Sequence, residues 1–277
     1  MISEFKPFVK KNEEPSKIKE ISLKLLEEFD SFCRENGLNY TLTQGTLLGA
    51  VRHKGIIPWD DDIDVAMYRA DYDKLIELSK TMPDNCKFIN HDIDKKYSRL
   101  YGRICNKNYL SVDKYYCSST TNYYGIDVFP IEEVPSDDGE YYKFAKKLRI
   151  LRQMYIFSNS AVFKGVSFLR AYIIKPLPII ICKIIGRNNI YKMFYNTVNK
   201  YKGSDSGSLA IVTGEYVFKE KFPKTDYLKF TDLQFEGTNR MCMEENHKYL
   251  SKIYGDYMQL PPEDKRVNHH NFTLYTK

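Results

Sequence analysis

The 277 residues suffice for one large domain, or for a domain with a substantial subdomain. A hydrophobic share of 43% and a charged share of 28% exclude a disordered chain. Residues 1–20 carry Lys6, Lys10, Lys11, Glu13, Glu14 and Lys17 where a secretory leader would have an apolar run, which predicts no leader. Cys33, Cys86, Cys105, Cys117, Cys182 and Cys242 form no CxxC pair, so neither a zinc knuckle nor a dithiol motif is signalled, and single thiols fit a reducing cytoplasm.

Residues 16–36 read as an amphipathic helix, with Ser16 as cap, Ile18, Ile21, Leu25 and Phe29 at helical spacing, and Gly37 as the stop. Leu38 to Leu42 reads as a strand, Gly45-Thr46 as a turn, and Leu47 to His53 as a short helix. A strand over 62–67 carries aspartates, and a helix over 70–81 buries Tyr72, Leu75, Ile76 and Leu78. Lys87–Ile89, Ser98–Cys105 and Tyr124–Pro130 read as strands, the last stopped by its proline. Residues 140–202 are predicted mostly helical, and mixed structure returns from about 207, with a strand over 232–235. This order predicts an α/β or α+β fold. It divides the chain into a core at 1–139, a basic, mostly helical segment at 140–206, and a C-terminal part at 207–277.

The stretch QGTLLGAVRHKGIIPWDDDIDV at 44–65 holds the strongest functional signal. A run of aspartates is ordinarily a solvated loop or a helix N-terminus. Here Asp60, Asp61, Asp62 and Asp64 interleave with or follow apolar residues: Ile56, Ile57, Trp59, Ile63, Val65 and Met67. Acids so embedded are costly to bury without a partner. On a strand, Asp62 and Asp64 would share one face. Two carboxylates so close repel unless a cation lies between them, and hard oxygen ligands suit Mg2+ with substrate phosphates in its shell. Asp127, between Ile126 and Val128, is the candidate third acid, and its competing reading is a local turn. With these three acids, one or two Mg2+ ions would clamp a diphosphate, and Asp127 would serve as ligand or general base.

Arg52 can hold a phosphate oxygen through its planar fork. Arg99 and Arg103, an even number of residues apart, would share a strand face and both reach a diphosphate; a solvated face is the alternative. Gln44 and Thr46 shape the turn, and Gly45 lets donor phosphates approach the backbone. His53 reads as structural or solvated, and Trp59 as core more than as a ligand face.

Thirteen of the 42 basic residues fall between Tyr141 and Lys202, and none of the 36 acidic ones does. Within that segment, Val162 to Ile185 is apolar but broken by Lys164, Arg170, Lys175 and Lys183, too short in any uncharged run to cross a bilayer. Two readings stand: a helix lying on an anionic leaflet, or core packing with lysines reaching out to water.

GTLLGAVRHKGIIPWDDDIDV resembles the signature of the LicD/fukutin family. Three more stretches resemble the family's pattern: Gly125 to Pro130, the segment around Arg99 and Arg103, and YGDYMQLPPEDKRVNHH at 254–270. The resemblance implies a nucleotidyltransferase-like α+β fold, a mixed sheet flanked by helices with a basic helical insertion. It implies transfer of a phosphorylated alcohol from a CDP donor to a glycan. It also implies Asp62, Asp64 and Asp127 as the ligands of Mg2+ and the Gly45-Thr46 turn as the nucleotidyltransferase turn; Arg52, Arg99 and Arg103 join Gly45 and Thr46 as the expected donor-binding residues. The C-terminal stretch supplies Tyr254, Asp256, Arg266, His269 and His270, without a role for each. The gap between turn and acids is longer than usual for the superfamily, which suits this branch, and the zinc insertion of one animal branch is missing. The chain resembles the bacterial phosphocholine transferases, which act on lipid-linked teichoic acid or lipopolysaccharide sugars. The partners expected are therefore CDP-choline, a lipid-linked glycan acceptor and an anionic membrane, with no nucleic acid. The expected location is cytoplasmic, peripheral on the inner face of the membrane. The rival readings are transfer of ribitol or glycerol phosphate, a true nucleotidyltransferase releasing pyrophosphate, and a non-enzymatic binding module.

Overall fold

The structure is a computed structural model that describes residues 9–11, 15–113, 123–159, 176–267 and 272–276. Cys117, His269, His270 and residues 162–175 of the apolar basic segment lie outside these residues.

Strand β1 (Val9–Lys11) leads into helix α1 (Pro15–Glu35), which buries Ile21, Leu25 and Phe29 as their spacing predicts. Gly37, at φ +60°, turns the chain back, and the Leu38 N–H donates to the Cys33 carbonyl. Then follow β2 (Thr41–Leu42), α2 (Gln44–His53), β3 (Asp64–Tyr68), α3 (Arg69–Leu78), β4 (Cys86–Ile89), β5 (Gly102–Asp113) and β6 (Tyr123–Glu133). A helical stretch of α4 (Asp138–Asn159), α5 (Pro176–Ile185) and α6 (Arg187–Val198) comes next. The chain continues through β7 (Ser208–Ile211), β8 (Phe222–Pro223), α7 (Lys224–Tyr227), β9 (Phe230–Phe235), β10 (Thr238–Met243), α8 (Asn246–Tyr254) and β11 (Phe272–Thr276).

Among the described residues nine strands form one mixed sheet, in the order β1-β11-β5-β6-β3-β2, with β4 also on β5 and β7-β8 continuing from β6. The pairing of β3 with β6 is parallel and the other pairings are antiparallel. The hairpin β9–β10 stands apart, turned by Glu236 and Gly237 at φ +50° and +78°, as a two-residue primed turn requires. A mixed sheet flanked by helices is the α+β architecture that the element order predicts.

Two apolar cores meet on β7. Leu209 and Ile211 join the core shared by α1, α2, α3 and α8, whereas Ala210 and Val212 join the core under α4, α5 and α6. Side chains alternate across a strand, so β7 is covered on both faces.

Several expectations are corrected. The strand at 38–42 shrinks to Thr41–Leu42. Helix α2 starts at Gln44, before the predicted turn rather than after it. The aspartate strand begins at Asp64, so Asp62 lies in the connection before it and the shared-strand-face argument fails for that pair. Arg99 likewise precedes β5, which begins only at Gly102. Of the four residues expected to be buried on α3, Tyr72 and Leu75 are buried, while Ile76 and Leu78 are half-buried. Pro130 does not stop β6, which runs on to Glu133. On that side β5 ends its pairing at Gly102 opposite Val128, and β7 starts at Ile211 opposite Ile131. Pro130 occupies the gap between the two partners, where no ladder donor is needed.

Candidate active site

The site forms where α2 begins beside the N-terminal ends of β3 and the middle of β6. Thr43 donates its N–H to the Asp64 carbonyl at 3.1 Å, and Asp64 donates its own N–H to Thr46 Oγ1 at 2.8 Å. The first turn of α2 is thereby fastened to Asp64 by both of that residue's backbone groups. Gln44 sits between them with φ +48°, a conformation that a non-glycine residue rarely adopts. Its side chain is buried, and Nε2 finds no hydrogen-bond partner among the described residues. Gly45 is needed for a close approach, because a Cβ there would lie 2.9 Å from Asp60 Oδ2. The neighbour pressing on this glycine is thus the Asp60 carboxylate.

Asp64 is directly opposite Asp127 in the parallel β3–β6 ladder, and the Asp127 N–H donates to the Ile63 carbonyl at 3.0 Å. The register places two acids on adjacent strands from distant parts of the sequence. Asp127 is buried, and it faces Arg103 across the antiparallel β5–β6 pairing. Arg103 Nε donates to Asp127 Oδ1 at 2.6 Å, and Arg99 Nη1 lies 3.7 Å from Oδ2. The Tyr101 hydroxyl accepts from Arg99 Nη1 at 2.7 Å and helps to hold the Asp127 carboxyl down. Burial alone would raise the Asp127 carboxyl, but Arg103 and Arg99 hold it below the ordinary range. Asp64 behaves in the opposite way. Burial, then the charges of Asp62, Asp127 and Asp60, push its carboxyl well above the ordinary range, and only Arg103 offsets them.

The acids fit a divalent cation by chemistry and by charge, since an added positive ion would relieve the crowding around Asp64. They do not form a finished cage: among the described residues no group of three or more His, Cys, Asp or Glu side chains is set to hold a metal. Asp62, Asp64 and Asp127 are brought into one electrostatic cluster, with Asp127 held by arginines.

Arg99 and Arg103 converge on the cluster even though only Arg103 lies on the strand. Arg52 is engaged elsewhere: its Nη1 donates to the Tyr257 carbonyl at 2.8 Å and to the Gln259 carbonyl at 3.4 Å. Burial and the nearby Arg266 lower its pKa. This arginine ties α2 to the loop after α8. Trp59 is half-buried and packs against the main core, edge-on to His53 at 5.8 Å, with the Arg266 guanidinium 5.7 Å over its ring. Burial, then the Arg52 charge, lowers the pKa of His53.

Tyr254 ends α8 against Tyr216, ring to ring at 5.4 Å. Burial, then Tyr216, then the charge of Asp64 raise its pKa, which places this pair of phenols beside the acid cluster. Asp256 is exposed. The sequence reading passes over Gln44 as a strained residue, Tyr101 as the hydroxyl that holds Arg99 near Asp127, and Tyr216. Tyr101 does carry a signal, since it alternates between Arg99 and Arg103, whereas the strain at Gln44 has none.

Known proteins share this arrangement's sequence. Residues 37–169 match the family model described as LicD/FKTN/FKRP, nucleotidyltransferase domain. The chain is 27% identical over 255 residues to the lipopolysaccharide cholinephosphotransferase LicD of Haemophilus influenzae, covering 90% of this chain and 93% of that protein. It is 37% identical over 88 residues to an uncharacterized protein of Rickettsia prowazekii, about a third of each chain. Over 35 residues, 13% of this chain and 7% of the relative, it is 54% identical to the human ribitol 5-phosphate transferase FKRP. With the mixed sheet and the turn locked to Asp64 in agreement, residues 37–169 of this chain resemble the LicD/FKTN/FKRP nucleotidyltransferase domain.

Proposed function

We propose that this chain is an enzyme transferring a phosphate-linked group, and that the group is phosphocholine carried from CDP-choline to a sugar hydroxyl of a cell-surface glycan precursor, with release of CMP. The likeness to the Haemophilus influenzae cholinephosphotransferase over nearly the whole of both chains carries this reading. That relative acts as a lipopolysaccharide cholinephosphotransferase, which favours a lipopolysaccharide-type acceptor, and a lipid-linked teichoic acid precursor offers the same hydroxyl chemistry.

In this reading Asp62 and Asp64, with Asp127 as the third acid of the set, would hold Mg2+, which would supply positive charge against the donor's phosphates. Arg103 and Arg99, held on Asp127 in the structure, turn to the phosphate oxygens as the donor enters. The sugar oxygen forms a bond to the phosphorus bearing choline, and the bond from that phosphorus to the oxygen of CMP breaks. A carboxylate of the cluster takes the hydroxyl proton. Gln44 Nε2, buried and without a partner, is the amide offered to substrate at the start of α2. Arg52 holds α2 in place through the loop after α8.

A second reading rests on the local likeness to the ribitol 5-phosphate transferase: the same site would then carry another alcohol phosphate. Thermal shift with Mg2+ and CDP-choline, CDP-ribitol, CDP-glycerol or CTP, followed by product analysis, decides between them. A shift for CDP-choline with CMP released supports the first reading. A shift for CDP-ribitol or CDP-glycerol alone moves the assignment to that alcohol. Pyrophosphate released from CTP identifies a true nucleotidyltransferase instead. No shift with any of the four overturns the donor assignment.

A further inference from the structure

We infer that α5 is a membrane-docking helix, which seats the protein on an anionic lipid surface by one apolar stripe. Leu177, Ile180, Ile181 and Ile184 recur at helical i, i+3, i+4 and i+7 spacing, and they are 64%, 46%, 47% and 79% exposed. The opposite side, Ile179 and Cys182, is buried against the core that α5 shares with α4 and α6. The helix therefore has two apolar faces and needs a second covering. Exposed aliphatics scattered singly are ordinary, but a continuous stripe on one short helix marks a contact surface.

Charge identifies the covering. Lys183 on α5 and Lys192 on α6 are exposed, and no acid occurs between Tyr141 and Lys202 to offset them. A second copy of this chain would set like charge against like charge. An anionic headgroup layer complements it, with aliphatic chains beneath for the stripe. The ten residues of α5 make a helix about 15 Å long. Among the described residues no helix is long and apolar enough to cross a membrane, so α5 would lie in the plane of the interface. Of the two readings open in the sequence, exposure of the stripe favours the leaflet over core packing.

Flotation of the full chain with phosphatidylcholine vesicles, with and without phosphatidylglycerol, tests this in the absence of nucleotide, so the outcome is independent of the transfer reaction. The protein should float with the anionic vesicles and not with the neutral ones. Ile181→Ser with Ile184→Ser should lower binding roughly tenfold or more while leaving the circular dichroism melt unchanged. Lys183→Glu with Lys192→Glu should weaken binding and flatten its salt dependence. Equal flotation of the serine variant, or no flotation of the parent, overturns the inference. A dimer in analytical ultracentrifugation that the serine substitutions dissolve overturns it too, and assigns the stripe to a second copy.

Discussion

Thr46 Oγ1 accepts the backbone N–H of Asp64 at 2.8 Å, so one threonine hydroxyl couples the first turn of α2 to the strand that bears the acid. Thr46→Val removes that acceptor and leaves the Asp64 N–H without it, at a cost of about 1–3 kcal/mol. Thr46→Ser should stay close to the parent. Urea denaturation of the two variants measures the difference, and transfer activity should fall with the valine alone.

The Arg103–Asp127 pair is nearly dry, with 13% and 10% of the two side chains exposed. Arg103→Ala leaves a buried carboxylate beside the more distant Arg99 guanidinium, at 3.7 Å, and should destabilise the fold by about 3–5 kcal/mol. Arg103→Lys keeps the charge but loses the planar fork. It should fold better than the alanine variant and still transfer poorly, because a point charge cannot engage two phosphate oxygens as a guanidinium does. Denaturant midpoints and initial rates on the same preparations separate stability from chemistry.

Asp64 is crowded by Asp60, Asp62 and Asp127, so its charge costs stability in the free protein. Asp64→Asn should raise stability in EDTA by about 1 kcal/mol and abolish transfer. Added Mg2+ should raise the melting temperature of the parent and not of this variant. An unchanged or lower melting temperature for the variant in EDTA would contradict the crowding.

Glu220 is fully buried between Tyr249, which donates to Oε1 at 2.9 Å, and Tyr227, which donates to Oε2 at 2.9 Å. Burial pushes its carboxyl up to about 8, above the value of 4.5 expected in the unfolded chain. The folded protein keeps a proton that the unfolded chain loses, so this contribution is full below pH about 4.5 and declines as pH rises through about 8. Stability measured from pH 5 to 9 should fall by a few kcal/mol, and Glu220→Gln should flatten that dependence. The same glutamate reaches the site through Tyr249, whose hydroxyl lies 3.1 Å from Thr43 Oγ1 at the start of α2. A loss of activity over the same pH range, absent in the glutamine variant, would show that the connection is felt there.

Periodicity made α1 legible, because its apolar spacing reports burial directly. Asp64 and Asp127 were legible because an acid flanked by β-branched residues has few inexpensive places in a fold. Strand starts were not. Asp62 and Arg99 read as strand residues by alternation, yet each lies just before its strand begins, because pairing with a neighbour decides where a ladder starts. Pro130 misled for a similar reason: the proline rule holds only where a partner needs the missing N–H, and that partner lies elsewhere in the sequence. Arg52 offered no sign of its actual partners, since carbonyls of a distant loop leave no mark in composition. The strain at Gln44 follows from the two tethers on Asp64 and exists only in the assembled structure.

The side-by-side placement of Asp64 and Asp127 has a consequence during synthesis. A nascent chain that has emerged only as far as Leu78 holds Asp60, Asp62 and Asp64 together, while Arg103 and the whole of β6 are still inside the ribosome or unmade. The crowded acids then lack the guanidinium that offsets them. Docking of β3 must wait for a segment translated seconds later. The β3–β6 pairing is therefore a late arrival in the protein's own folding, and a truncated product ending before Tyr123 would leave that edge of β3 unpaired, an aggregation hazard.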